Sequence, residues 1–444
     1  MAATARESVA SLRAPPAGRA RRGREALHPA LEWARSGAMA LTGPADGTPR
    51  LAPGPLAARA RDAVAALARL AGSERLRVLD GGALLGERAA LAGLARRGAV
   101  SPGGSCRLLR AADGWIAASL ARPDDARLLP AWLGEGEAGD PWRFVAERVT
   151  GRGVDEIVAR ARLLGLPVAP AAAPGPAPPP WLRVAARGPR AARAGPPRVI
   201  DLSSLWAGPL CTHLLALAGA QVVKVESTRR PDGARFGPRA FFDLLNAGKR
   251  SVALDLAAPE GRAALARLVA RADVVVESAR PRALRQLGID AAELVERIPG
   301  LTWLSITGYG RGEPEAGWVA FGDDAACAAG LAVATGDPDA PLFCGDAVAD
   351  PLAGIHAALA AWSSWREGGG ALLDVSLRDA TAWCLGAGDA RDGARVERRG
   401  ADWAVVADGR VEPVAPPRAR RPQGRARALG ADTRDVLREA GLPC

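Results

Sequence analysis

Apolar positions fall into a regular strand–helix alternation from about residue 197 onward. Residues 199–226 read VIDLSSLWAGPLCTHLLALAGAQVVKVE. A short β-branched apolar run at 198–202 is broken by Ala207-Gly208-Pro209, and the proline suits the first position of a helix. Leu210, Leu214 and Leu217 then recur at the spacing of one helix face. Gly219 stops that helix, and 221–225 is a second apolar run. Two strands joined by a helical crossover pair in parallel, as a right-handed βαβ unit. The alternation continues with strands predicted at 198–202, 221–226, 250–255, 273–277, 301–306 and 371–377. Helices are predicted at 209–218, 259–271, 291–297 and 350–365. The expected class is α/β, a doubly wound parallel, Rossmann-like sheet domain with a smaller α+β domain beside it.

Upstream the pattern differs. Residues 55–72, 87–97, 125–134 and 154–165 are helical by period. The turn at Asp113-Gly114 lies between two short strand-like runs, a hairpin signal. Residues 167–197 are rich in Pro, Ala and Arg with little apolar periodicity, which reads as a stiffened linker. Five regions are expected: a basic tail at 1–27, a small-domain-like segment at 28–170, a linker at 171–197, the sheet domain at 198–386, and a C-terminal segment at 387–444 that completes it. One internal echo crosses these regions. Ser36-Gly37-x4-Thr42-Gly43-x2-Asp46 recurs as Ala329-Gly330-x4-Thr335-Gly336-x2-Asp339.

Composition narrows the function. The formal net charge of +11 suits nucleic acid, anionic lipid or an anionic ligand. The arginines are dispersed, and no aromatic-interleaved basic groove or nucleic-acid motif occurs, so no nucleic-acid partner is expected. No apolar run of about 18 residues suggests a membrane span. Six cysteines without C-x-x-C spacing suit a reducing cytoplasm. Three separated histidines make a histidine-based metal site unexpected. The first βα turn reads W-A-G-P rather than G-x-G-x-x-G, against a nicotinamide or flavin cofactor.

The stretch AGPLCTHLLALAGAQVVKVE resembles the opening of the family III CoA-transferases, which include formyl-CoA transferase, carnitine CoA-transferase and α-methylacyl-CoA racemase. GDAVADPLAGIHAAL at 345–359 resembles the family's aspartate stretch, and counting back from Gly354-Ile355-His356 places the nucleophile on Asp350. Asp350-Pro351 also reads as a helix N-cap and N1 pair, where the dipole and free N–H groups favour an ionised carboxylate. A plain structural cap is the alternative role. The resemblance implies a CoA-transferase moving coenzyme A between carboxylic acids through an aspartyl anhydride and an aspartyl-CoA thioester, with coenzyme A as substrate and no tightly bound cofactor. Its partners would be an acyl-CoA and a small carboxylic acid, and the chain a homodimer. CoA contacts are expected at Leu205, Trp206 and Ala207 of the first βα turn and at Arg229. They are also expected at Lys249 and Arg250 of N-x-x-K-R-S, at Arg280 of E-x-x-R-P, and at Arg285 beside Gln286. A solvated loop is the alternative for Lys249 and Arg250. Residues 28–170 resemble the later half of the family's segment order and 198–380 its front half, so the order is permuted or fused. A degenerate CoA-ester-binding homologue is a second reading. A racemase is a third, weakened because Phe321 stands where those enzymes have a histidine base. Asp323 and Asp324, next to it, are either site carboxylates or a helix start. The glycine-rich loop of the family corresponds at best to 101–105, where Gly103-Gly104 remain.

Overall fold

The computed structural model describes residues 27–134, 136, 139–192 and 194–441. The tail expected at 1–27 therefore lies almost wholly outside the described residues. Among the described residues, thirteen strands form three sheets. Strands β1 (Cys106–Arg110), β2 (Trp115–Ser119) and β3 (Val168–Pro170) make a small antiparallel sheet. The main sheet holds β4 (Arg183–Arg187), β5 (Arg198–Leu202), β6 (Gln221–Ser227), β7 (Arg250–Leu254), β8 (Val274–Glu277), β9 (Thr302–Thr307) and β10 (Ala371–Ser376). Its order is β4-β10-β9-β8-β5-β6-β7. Every pair in it is parallel except β4–β10. Strands β11 (Arg395–Arg399), β12 (Asp402–Ala407) and β13 (Arg410–Pro413) form a third, antiparallel sheet.

The predicted parallel strands all form, with ends within one or two residues. They are legible because strands β8 to β10 are buried along their whole length, which gives continuous apolar runs. The stretch at 171–197, read as a linker, behaves differently. Its Arg183–Arg187 run pairs antiparallel with β10, and Trp181 and Leu182 are buried in the principal core. The alternation of β4 is exposed–intermediate, with arginine at both ends, so it carries the signature of an edge rather than of a core strand.

The segment 28–170 also divides. Helices α1 (Pro29–Ser36) and α2 (Leu56–Ala71) contribute Leu31, Trp33, Leu56 and Leu67 to the same core as the sheet domain. The unit around β1–β3 encloses its own core, centred on Trp132, Phe144 and Ile157. The two echo segments take matching local forms. Gly37 and Gly330 are both left-handed, at φ 81° and 90°. The hydroxyls of Thr42 and Thr335 each donate back to a carbonyl four residues earlier, Ala38 and Leu331, at 2.9 and 2.7 Å. Both threonine side chains also reach Cys344, so the two copies meet at the loop leading into the longest helix.

Helices α3 (Ala207–Leu217), α4 (Arg239–Asn246), α5 (Gly322–Ala328), α6 (Ala349–Arg366) and α7 (Leu377–Leu385) surround the site end of the sheet. Helix α6 is buried on nearly every side, consistent with an apolar pattern without a polar face. It passes α3 so closely that a Cβ on Gly354 would overlap the Ala207 carbonyl. Gly354→Ala is therefore expected to lower stability by about 1–3 kcal/mol through overpacking, read as a shift of the urea midpoint at unchanged slope.

Candidate active site

The site is built where two loops end against each other. Sheet order reverses at β5, with β6 on one side and β8 on the other. In an open α/β sheet the crevice at the carboxyl ends of such strands takes ligands. Here it is bounded by 203–206 after β5 and by 278–280 after β8, tied together by the Ser204 N–H donating to the Ser278 hydroxyl at 3.1 Å. Leu205 in this turn has φ 70° and is 41% exposed. Such a conformation is costly for a branched residue and persists only when its surroundings enforce it. The Asp232 carboxylate supplies that enforcement by accepting the Leu205 N–H at 2.9 Å.

Beneath the turn lies a buried ionic network. Asp201 accepts from Thr212 Oγ1 at 2.6 Å and from Lys249 Nζ at 3.0 Å. Lys249 Nζ also donates to the Pro209 carbonyl, Thr212 Oγ1 and Asn246 Oδ1. Lys224 Nζ donates to the Ser203 carbonyl at 2.8 Å and pairs with Asp232 at 2.9 Å. Burial opposes the Asp201 charge, but Lys249, Lys224 and two hydroxyls hold its carboxyl down at about 2. Burial brings the Lys249 ammonium down to about 8 despite Asp201.

Lys249, expected at a CoA contact or in a solvated loop, is buried with its donors spent on the turn beneath the crevice. Arg250 is likewise engaged, in a bidentate pair with Glu439 of a C-terminal helix. Arg229 pairs at the surface with Asp255 at 3.0 Å, and Arg285 lies 3.9 Å from Asp290. Trp206 and Ala207 are buried, and Leu205 is the exposed member of the turn.

Arg280 keeps company the sequence did not single out. Partial burial and the nearby cations Arg282, Arg122 and Arg230 lower its pKa. Arg230 follows β6, Arg280 and Arg282 follow β8, and Arg122 comes from the small unit. Arg122 is itself held by Asp125 and the Gly165 carbonyl, whereas Arg230, Arg280 and Arg282 follow the carboxyl ends of two parallel strands, where cations suit phosphate groups.

Asp350 lies in the first turn of α6, whose N-cap is Val348. Asp350 is thus inside the helix start rather than the cap residue itself. The preceding loop accounts for the difference: Gly345 and Ala347 take left-handed φ values of 70° and 43°, which turn the chain into the helix before residue 350. The Asp323 carboxylate accepts the Ala347 N–H at 2.9 Å, and the Ala347 carbonyl accepts the Asp350 N–H at 3.0 Å. Asp350 retains partial exposure. Its carboxylate rests against Gly322, where any Cβ would collide with it, and receives the Gly322 N–H. Burial pushes the Asp350 carboxyl up to about 7; Arg88 opposes the rise, and Asp323 and Asp346 add to it.

Arg88, Asp346 and Gly322 were not legible as site residues. Arg88 Nε donates to Asp346 Oδ2 at 2.8 Å, with a second contact from Nη2. Its guanidinium carbon also stands 5.5 Å from the Trp206 ring centre, so one cation touches both walls of the site. Gly103 lies beside the same guanidinium, where a Cβ would be 3.1 Å from Nη2. Ser101 bonds to Asp323. The 101–105 turn therefore does overhang the carboxylates.

The Asp323 and Asp324 alternatives divide by residue. Asp324 accepts the Phe321 N–H at 2.9 Å as part of the α5 start, whereas Asp323 faces the Asp350 loop. Phe321, the position of the racemase histidine, stands immediately before α5. His356 and His213 are both buried on helices.

Residues 197–400 match the family model for CoA-transferase family III. A succinate–glutarate CoA-transferase of Agrobacterium fabrum is 36% identical over 200 residues, covering 41% of this chain and 50% of that protein. A succinyl-CoA–D-citramalate CoA-transferase of Chloroflexus aurantiacus is 33% identical over 192 residues, covering 40% and 48%. The chain thus spans about half the length of these relatives. A CaiB/BaiF family protein from Brucella suis superposes with a TM-score of 0.40 at 33% identity, covering 44% of this chain and 56% of that one.

Two outcomes test the electrostatics. Lys249→Ala should cost about 3–5 kcal/mol in chemical denaturation, because it strands a buried carboxylate. Asp324 has its carboxyl pushed up to about 8, chiefly by burial. A raised carboxyl stabilises the fold at low pH, and that contribution is lost as pH climbs through the folded value. Asp324→Asn should therefore flatten the decline of melting temperature between about pH 4 and 8. The switch-point crevice and Asp350 both lie within residues 197–400, the part of the chain that matches the model for CoA-transferase family III.

Proposed function

We propose that the chain transfers coenzyme A between small carboxylic acids with Asp350 as the nucleophile. A carboxylate on a partly exposed residue, held against the Gly322 N–H at the amino end of a buried helix and beside Arg88, is the observation that carries the reading. The arginine group at the strand ends supports a phosphate-bearing substrate, and the relatives' names supply the substrate class.

In this reading the ionised Asp350 oxygen attacks the acyl carbon of a CoA ester. A C–O bond forms, the C–S bond breaks, and the thiolate leaves with the electron pair. The thiolate then attacks the aspartyl carbonyl of the mixed anhydride, releasing the donor acid and leaving an aspartyl-CoA thioester. An acceptor carboxylate attacks that thioester, and the returning thiolate takes the acceptor's acyl group. Each tetrahedral intermediate carries an oxyanion that preorganised N–H groups stabilise. The Gly322 N–H bonds to Asp350 and the Arg88 guanidinium acts on its charge, so both are candidate donors. A proton on Asp350 blocks the first step. Because Asp323 is pushed up to about 6, mainly by burial with Asp346 adding, and Asp350 to about 7, the two titrate together. A homodimer in the cytoplasm belongs to the same reading, and light scattering measures its first part.

Incubation with a panel of acyl-CoAs, followed by mass analysis of the intact chain, should reveal a CoA adduct mapping to the peptide that carries Asp350. Asp350→Ala should abolish the adduct and reduce exchange by on the order of 10³-fold or more. Retention of CoA affinity by that variant, with no exchange in the parent protein, would instead favour a binding homologue. In the parent protein the exchange rate should rise with pH through about 6 to 7 as Asp350 ionises.

A further inference from the structure

Two consecutive residues hold both ends of the turn that carries Asp350. The Gly322 N–H goes to the Asp350 carboxylate, and the Asp323 carboxylate accepts the Ala347 N–H at 2.9 Å. Between these anchors the Ala347 carbonyl accepts the Asp350 N–H at 3.0 Å and closes the turn. The approach is tight, since a Cβ on Gly322 would overlap both the Ala347 carbonyl and Asp350 Oδ2. Ala347 has φ 43°, a conformation that an alanine keeps only where its surroundings impose it. The bond from its N–H to Asp323 is the side-chain contact that does so.

Asp323 is itself held from the turn before β1. Ser101 is fully buried, and its Oγ accepts the Cys106 N–H at 3.1 Å. A hydroxyl has one proton to give, and that of Ser101 goes to Asp323. Ser101 also opens the 101–105 turn, where its carbonyl accepts the Gly104 N–H at 2.8 Å. The turn that overhangs the carboxylates and the turn that carries Asp350 therefore meet on one side chain.

The charged groups around Asp323 are Asp346 and Asp350 from the start of α6, Asp324 from α5, and Arg88. Cys106 and Cys327 also face it, and burial keeps both thiols neutral. Burial is the main cause of the raised Asp350 carboxyl; Arg88 opposes the rise and Asp323 adds to it.

We propose that Asp323 is a positioning residue for Asp350: it locks Ala347 in the left-handed turn that delivers residue 350 to the Gly322 N–H, and Ser101 holds it there. This deepens the reading of Asp350 as nucleophile and rests on that reading for its kinetic test.

The test follows the rate of CoA adduct formation on Asp350 against pH in the full-length protein. Asp323→Asn keeps an oxygen for the Ala347 N–H and loses the charge. Its plateau rate should stay within about threefold of the parent, while the midpoint of its rise should fall by at least about half a pH unit. Asp323→Ala loses the oxygen as well, so its plateau should drop at least about 30-fold. Ser101→Ala should lower the plateau about threefold to tenfold, and should cost nothing further in the Asp323→Ala background, because the hydroxyl acts through the carboxylate. An unmoved midpoint in Asp323→Asn, plateaus of the two Asp323 variants within about threefold of each other, or a Ser101→Ala loss that persists in full beside Asp323→Ala would overturn the proposal. A parent protein that forms no adduct would sink the transfer reading instead. Hydrogen exchange then measures the clamp without turnover: the Ala347 amide should exchange at least about tenfold faster in Asp323→Ala than in Asp323→Asn. Equal exchange in the two variants rules the clamp out.

Discussion

The close crossing of two helices sets the position of the two walls of the candidate site. Gly354 leaves no side chain between α6 and the Ala207 carbonyl of α3. One helical turn before that contact stands Asp350. One residue before Ala207 stands Trp206, under the Arg88 guanidinium. A single methyl group at the crossing would separate the loop that follows β5 from the carboxylate. Interiors pack too densely to absorb such an insertion without movement. The two walls of the site are therefore coupled by packing as well as by charge.

The charges are arranged in two groups of different purpose. Under the crevice, Asp201 and Asp232 are balanced by Lys249 and Lys224, and nearly every donor is used. Such a saturated network fixes one geometry for the strained Leu205 turn. Around Asp350 the balance is different. Asp323, Asp346 and Asp350 share Arg88, so the group with partial exposure is also the one whose proton is held loosely near neutrality. The first arrangement supplies rigidity, and the second supplies a carboxylate that can change state.

Much of the architecture was readable because the information is local. Parallel strands buried on both faces leave unbroken β-branched runs, and the W-A-G-P turn and the Gly354-Ile355-His356 count each lie within a few residues. What escaped depends on distant partners. Lys249 looks like a loop cation until Asp201, 48 residues earlier, is placed against it. Arg88 is one arginine among many in an Ala/Leu/Arg helix, and only the fold brings Asp346 to it, 258 residues later. Strand β4 has too little apolar content to register as a strand, because its place is an edge reached across β10. Asp350 was singled out by counting, but its place two residues past the N-cap, in the first turn of the helix, follows Gly345 and Ala347 in left-handed conformations, one of them in a residue type that seldom adopts it.

Strand β4 bears on how copies of the chain can meet. It bounds the main sheet on one side with Arg183 and Arg187, and the first of these is paired to Asp379. At the opposite boundary, the β7 amides of Ser251 and Ala253 are taken by the Asp432 carboxylate and the Thr433 hydroxyl. One rim is thus closed by side chains and the other guarded by positive charge, which discourages a neighbour from adding its own strand. Self-association that leaves this fold intact is directed to the helical faces and the two small sheets.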